Sequence, residues 1–369
     1  EAIRPADSTH VWSSPEQPDV TARTKALDGV GLVEAANERE EALAIAVILR
    51  RSLLDKDHVA ALVTPDRKLA RRVAAELERW DIRIDDSAGT PLSATRLGIL
   101  ARLAAEAAIG GGRAEKLLAL IKHPLVALGR EPAEIRRAGR ALERAVLRGP
   151  RLGPGFAALR SALAANQRLT VEEENADRSG RRLTQAARGL TPEGWADAGD
   201  LAERLEAALE PLAGLAEEDR EFPLGDLFEN HWACLQALCR KADGSAGALV
   251  DDEASEELLR RFGELTASAG YGPEITAADY PAFFEAILGN MPVRPRGADP
   301  RIHIWGALEA RLQHVDTIVL GGLNEGVWPL QTSLDPFLSR GMRETLDLEP
   351  PERSIGLAAH DFTQAMGQD

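Results

Sequence analysis

The run Arg301-Ile302-His303-Ile304-Trp305, then Thr317-Ile318-Val319-Leu320-Gly321, then Gly322-Leu323-Asn324-Glu325-Gly326-Val327-Trp328-Pro329, decides the fold expected of this 369-residue chain. The first run alternates polar and apolar residues, the period of a half-buried strand. The second is continuously apolar and rich in β-branched residues, which suits a central strand of a parallel sheet. The third is dense in Gly, Asn and Pro and reads as turns. Two strands do not make a stable sheet, so their partners have to come from elsewhere in the chain.

Those partners lie far upstream. His58-Val59-Ala60-Ala61-Leu62-Val63 reads as a buried strand. Thr64 then suits an N-cap, Pro65 the first helical position and Asp66 the helix N-terminal dipole. The helix expected over Arg67–Trp80 carries Leu69, Val73 and Leu77 at four-residue steps and leads to an alternating strand at Ile82-Arg83-Ile84. Before it, Gly31-Leu32-Val33-Glu34 is a strand candidate. Asn37 to Leu54 reads as a helix with Leu43, Val47 and Leu54 as its apolar positions. Strand and helix in alternation predict a parallel sheet flanked by helices.

From Ala94 onward the pattern is almost purely helical. Gly110-Gly111-Gly112 breaks one helix, Lys122-His123-Pro124-Leu125 ends another, and the polar Thr170–Arg182 reads as an exposed loop. The expected architecture is therefore α/β: residues 1–30 as a connecting arm, one parallel-sheet domain from 31–109 and 295–369, and a helical insertion over 110–294. Two small separate α/β domains are the alternative.

Composition narrows the function classes. Ala, Leu, Glu and Arg dominate, only 4% of the chain is aromatic, and the formal charge is -15. An acidic surface repels nucleic acid, so any DNA contact has to use a local groove or patch. Two cysteines, Cys234 and Cys239, make no disulfide framework. No apolar run reaches membrane-spanning length and no signal-peptide pattern opens the chain, which sets a cytoplasmic expectation. The chain lacks an initiator Met and reads as a piece of a longer protein.

The ensemble of words resembles the AddB family, subunits of the bacterial AddAB helicase–nuclease, over residues 31–128 and 290–369. One match is Leu62-Val63-Thr64-Pro65-Asp66-Arg67-Lys68-Leu69-Ala70 with Asp85-Asp86-Ser87-Ala88-Gly89-Thr90-Pro91-Leu92. Another is the order His-x-x-Lys-Gly-Leu-Glu, apolar strand, Gly-Leu-x-Glu-Gly-x-x-Pro of superfamily 1 helicases. Here it stands as His303 to Glu309, Thr317–Leu320 and Gly322 to Pro329, with Gly306 in place of the Lys and Ala307 in place of the Gly. A third is Asp335-Pro336-Phe337-Leu338-Ser339-Arg340 with Pro351 to Phe362. The resemblance implies a RecA-like (P-loop NTPase-like) helicase domain 2A interrupted by a 2B-like helical domain. It also implies a role in double-strand break repair beside an AddA-like helicase–nuclease partner, with DNA as substrate.

The residues themselves hold little chemistry. Phosphate binding for ATP hydrolysis needs Gly-x-x-x-x-Gly-Lys-Ser/Thr, which is nowhere in the sequence, and no catalytic residue is assigned. Candidate DNA contacts are His303 by hydrogen bonding, Trp305 by base stacking, and Arg67 and Arg71 on a phosphate. The resemblance puts Glu309 and Gly306 near a nucleotide. Asp66-Arg67-Lys68 reads as a helix start rather than a nuclease site. His231 with Cys234 and Cys239 reads as packing rather than a metal site, and no cofactor is expected in the chain itself. ATP with Mg²⁺ and an iron–sulfur cluster are implied only for the longer complex. Two rival readings stand: the second motor half of a working ATP-driven helicase, and a helical protein-interaction module that does not touch DNA.

Overall fold

A computed structural model describes residues 27–149, 152–153, 155–173, 183–245, 249, 253–294, 296–331, 335–351 and 353–367, together with 21 and 25. Most of the expected arm, and residues 174–182 of the expected loop, lie outside them; 170–173 belong to a helix, Phe156–Glu173. The chain divides into two compact units, one from residues 1–89 and 294–369 and one from 90–293.

The first unit is built on one four-stranded sheet of β1 (Ala60–Val63), β2 (Ile84–Asp86), β3 (Asp299–Trp305) and β4 (Thr317–Leu320), in the order β2-β3-β1-β4. Every neighbouring pair is parallel, with Val63 in register with Trp305 on one side and Leu320 on the other. Strands separated by more than two hundred residues therefore interleave in one sheet, and β1 is buried throughout. Ala60, Leu62, Ile302, Ile304 and Val319 face α1 (Glu38–Ser52) and α2 (Arg67–Glu78), packing on Ile45, Leu49, Leu69, Val73 and Leu77. The alternate residues Val63, Trp305, Ile318 and Leu320 form a second, smaller cluster with Ala310, Trp328 and Phe362. The β1-to-β2 connection runs through α2 on the first face. The β3-to-β4 connection runs through Ala310 on the second face and in the opposite direction. Opposite faces for opposite directions give both crossovers the same hand.

Local chemistry explains the helix ends and moves several expectations. Asn37 caps α1, its Oδ1 accepting from Arg39 N (3.1 Å) and Glu40 N (3.0 Å). The cap of α2 is Asp66, which accepts from Lys68 N at 2.7 Å. Thr64 is not the cap: it is fully buried and its Oγ1 accepts from Asp66 N at 3.1 Å. Gly31-Leu32-Val33-Glu34 forms no strand. On α1 the buried stripe is Ala42, Ile45, Ala46 and Leu49, while Leu43, Val47 and Leu54 are 40%, 49% and 86% exposed. The sequence of α1 offers two apolar stripes, and the one containing small alanines packs because it lets the helix approach its neighbours closely.

The second unit is helical and closes on itself through an antiparallel ladder of Thr90–Pro91 with Pro292–Val293. Its entry is at Thr90, not at 110 as the glycine run suggests. Helix Arg96–Ile109, capped by Thr95 through Gly98 N (3.1 Å), buries Leu97, Leu100, Ala101, Ala104 and Ala105 in the helical core. Gly110 to Gly112 only terminates that helix. Glycine is required at 111 and 112, whose φ values are +64° and +70°.

His231 lies at the centre of this core, fully buried among Phe228, Phe262, Tyr280 and Phe284. Its Nε2 is 2.9 Å from Ala101 O, which can only accept, so Nε2 carries the proton and Nδ1 accepts from the Tyr280 hydroxyl at 2.8 Å. Cys234 and Cys239 are buried, and burial pushes both thiols up to about 12. No metal-holding group of His, Cys, Asp and Glu occurs among the described residues. Nor is any described helix long and apolar enough to cross a membrane.

Burial holds the His231 imidazole down at about 4, against 6.5 when solvated. The unfolded chain therefore takes up a proton below pH 6.5 that the folded chain refuses until about pH 4, and stability falls as pH drops through that window. From pH 7 to 5 this group costs roughly 2 kcal/mol. Urea unfolding at the two pH values is expected to show a smaller loss in a His231→Gln chain; an unchanged loss would assign the acid sensitivity to other groups.

Candidate nucleic-acid interface

Because all four strands run parallel, their carboxyl ends share one edge, where open α/β sheets bind ligands. The loops that leave this edge are Thr64-Pro65-Asp66, Ser87-Ala88-Gly89, Gly306-Ala307 and Gly321-Gly322-Leu323. The ladder continues into them: Thr64 N donates to Trp305 O (3.0 Å), Ser87 N to Ile304 O (3.0 Å) and Gly321 N to Val63 O (3.1 Å).

The glycines at this edge are space-limited. A Cβ on Gly321 would stand 2.9 Å from Leu62 Cδ1, 3.0 Å from Leu69 Cδ2 and 3.1 Å from Ile45 Cδ1, so beside β1 the chain runs close beneath both covering helices. Gly322 and Gly326 have φ of +75° and +81°. The Gly322 N–H donates to Glu41 Oε1 at 2.8 Å, which ties the turn to α1. Trp328 Nε1 donates to Ala358 O at 3.1 Å, anchoring the turn's far end beneath helix Arg353–Met366.

His303 and Trp305 share the second face of β3, since Ile302 and Ile304 occupy the first. Their rings stack at 5.2 Å with planes 15° apart, and His303 Nδ1 is 3.4 Å from Asp85 Oδ2. Trp305 also packs into the cluster with Val63, Ala310 and Trp328. One ring face of Trp305 is thus covered by His303, whose side chain is 19% exposed.

Arg67 opens α2 at the same edge, and its Nη2 pairs with Asp86 at the end of β2. Its Nη1 and the Ser87 Oγ are buried and have no hydrogen-bond partner among the described residues. Arg294 Nη2 donates to Ser87 O at 2.7 Å. An unpartnered buried donor is unusual in a folded protein, which marks Arg67 and Ser87 as candidate contacts for an anionic oxygen. Sequence reading singled out Arg67 but missed Ser87 and Arg294, for nothing in their local pattern signals the contact that the fold makes between those two. Arg71 lies one turn along α2, with its Nε donating to Arg67 O at 3.2 Å.

Gly306 and Glu309, the two residues that the resemblance puts near a nucleotide, lie in the segment that leaves β3. Glu309 is exposed, and its carboxylate lies over Gly306 where a side chain would begin. Asp85 and Asp86 are successive strand residues, whose side chains leave opposite faces of a strand, and Asp86 is engaged by Arg67.

Comparison with known family models and with characterised proteins returns no match to this chain, so its chemistry is argued from its own residues.

The edge has a direct structural check. Gly321→Ala is expected to destabilise the α/β unit by about 1–3 kcal/mol through overpacking, read as a lower urea midpoint by circular dichroism. An unshifted midpoint would mean that Leu62, Leu69 and Ile45 give way without cost.

Proposed function

We propose that this chain is the helicase-like region of an AddB-type subunit, a second RecA-like domain carrying a helical 2B-like insertion. It would guide one DNA strand during resection of double-strand breaks, beside an AddA-like motor and nuclease, without hydrolysing ATP itself. The observation that carries this reading is the joining of two distant halves in one parallel sheet. That sheet gathers the Thr64–Arg67, His303–Glu309 and Gly322–Pro329 words, in that chain order, around one edge. A long helical insertion between the halves supports the same reading.

The division of labour follows from the residues. The partly exposed His303 ring, backed by Trp305, is the group on which a base would stack. Arg67, Ser87 and Arg294 offer donors to a backbone phosphate. Gly306 stands where the superfamily 1 word has its Lys and Ala307 where it has its Gly, which supports a strand guide over a working motor half. The chain is therefore read as a strand guide rather than a motor.

Fluorescence anisotropy with a labelled dT20 oligonucleotide at low salt tests the proposal. His303→Ala and Arg67→Ala are each expected to weaken binding by about tenfold, within the ~1–3 kcal/mol that a stacked base contributes. Circular dichroism controls for folding. Equal affinity in both variants would sink the assignment of this edge, and no binding by the unaltered chain would favour a protein-interaction module. DNA-stimulated ATP turnover would favour a working motor half.

A further inference from the structure

We propose that the exposed face of the helix Pro132–Leu142, with its π-helical continuation Glu143–Leu147, binds the phosphodiester backbone of a nucleic acid. This inference rests on the helical unit alone and does not require the reading of the sheet edge.

The helix buries Ile135, Ala138, Ala141, Leu142, Ala145 and Val146 and turns Arg136, Arg137, Arg140, Arg144 and Arg148 to solvent. Two of these are neutralised within the fold. Arg137 grips Asp197 with Nε at 2.7 Å and Nη2 at 3.3 Å, and Arg148 Nε meets Glu143 at 2.7 Å. Glu143 also faces Lys122 at 3.8 Å. At the N-terminal end Glu134 accepts from Glu131 N and faces Arg130 at 3.7 Å.

Arg136 and Arg140 have no ion pair among the described residues. Arg144 donates to the carbonyls of Ala186 (3.0 Å) and Arg188 (3.2 Å), which hold its guanidinium in place without cancelling its charge. Three uncompensated guanidinium groups thus follow at four-residue steps, a row of about 12 Å. One strand of a duplex carries roughly three to four phosphates over that axial length. The row is positive on a chain whose total is -15, so it concentrates attraction for a polyanion at one place.

A phosphate backbone fits this face better than an acidic protein does. Protein interfaces centre on a desolvated apolar or aromatic core. The large exposed apolar side chains of the helical unit are Ile99 and Tyr271 among the described residues, and neither lies on this helix. Arginine forks with nothing greasy between them match phosphate oxygens and impose no sequence choice.

The full chain carrying Arg136→Ala with Arg140→Ala is compared with the unaltered chain and with a charge-matched Lys56→Ala, Lys241→Ala control. Binding to labelled dT20 and to a 20-base-pair duplex is followed by anisotropy across a salt series. The helix variant is expected to bind at least about tenfold more weakly to one or both, the scale of a lost charge-assisted hydrogen bond. Its salt slope is expected to fall by about 0.7 per lost contact on the single strand, or about 0.9 on the duplex. The relative losses on the two probes identify which form occupies the helix. The control is expected to match the unaltered chain. Unchanged affinity and slope in the helix variant overturn the proposal, as does an equal loss in the control. Binding of poly-glutamate but of neither DNA also overturns it, in favour of an acidic protein partner.

Discussion

The backbone hydrogen bonds of Ala60–Val63 run to β3 on one side and β4 on the other. A buried strand cannot leave its N–H and C=O groups unpaired, and here both sets of partners come from the last quarter of the chain. The closure of residues 60–63 against 299–320 is therefore the constraint on which the α/β unit depends. It aligns the carboxyl ends of all four strands, brings Arg67 to Asp86, and positions the Gly321–Gly322 turn against α1. A helical unit spliced between the halves has to bring its two ends together for this to happen, and the Thr90–Pro91 and Pro292–Val293 ladder does so.

The two units solve their packing problems differently. In the helical unit, alanine-rich faces on Arg96–Ile109 let helices approach closely, and one polar group is buried at the centre with both ring nitrogens satisfied. His231 is stable there because Ala101 O and the Tyr280 hydroxyl replace water; burial favours the neutral imidazole over the cation. In the α/β unit, α1 and α2 cover one face of the sheet. The opposite face is closed by a smaller group around Trp328 and Phe362. Large apolar side chains such as Leu43, Val47, Leu312 and Phe337 remain exposed in this unit.

Charge is organised on the same scale. The acidic total masks a positive row on the helix from Pro132, and the sheet edge holds Arg67 paired with Asp86. Neither feature follows from net charge. Each depends on which carboxylates the fold brings within reach: Asp197 and Glu143 neutralise two of the helix arginines, and among the described residues none pairs with Arg136 or Arg140.

Residue periodicity was enough to locate β1, β3 and β4, the helix after Asp66 and the long helical block, because alternation and four-residue spacing are properties of the local chain. The same local signals pointed to the wrong stripe of α1 and the wrong cap for α2. They also placed the unit boundary some twenty residues late, at a glycine run that only ends a helix. Which of two apolar stripes is buried, which donor is left unpartnered and which arginines lack a carboxylate are set by residues hundreds of positions apart. Those outcomes belong to the tertiary structure, since strand register and helix packing, not sequence neighbours, decide what each side chain meets.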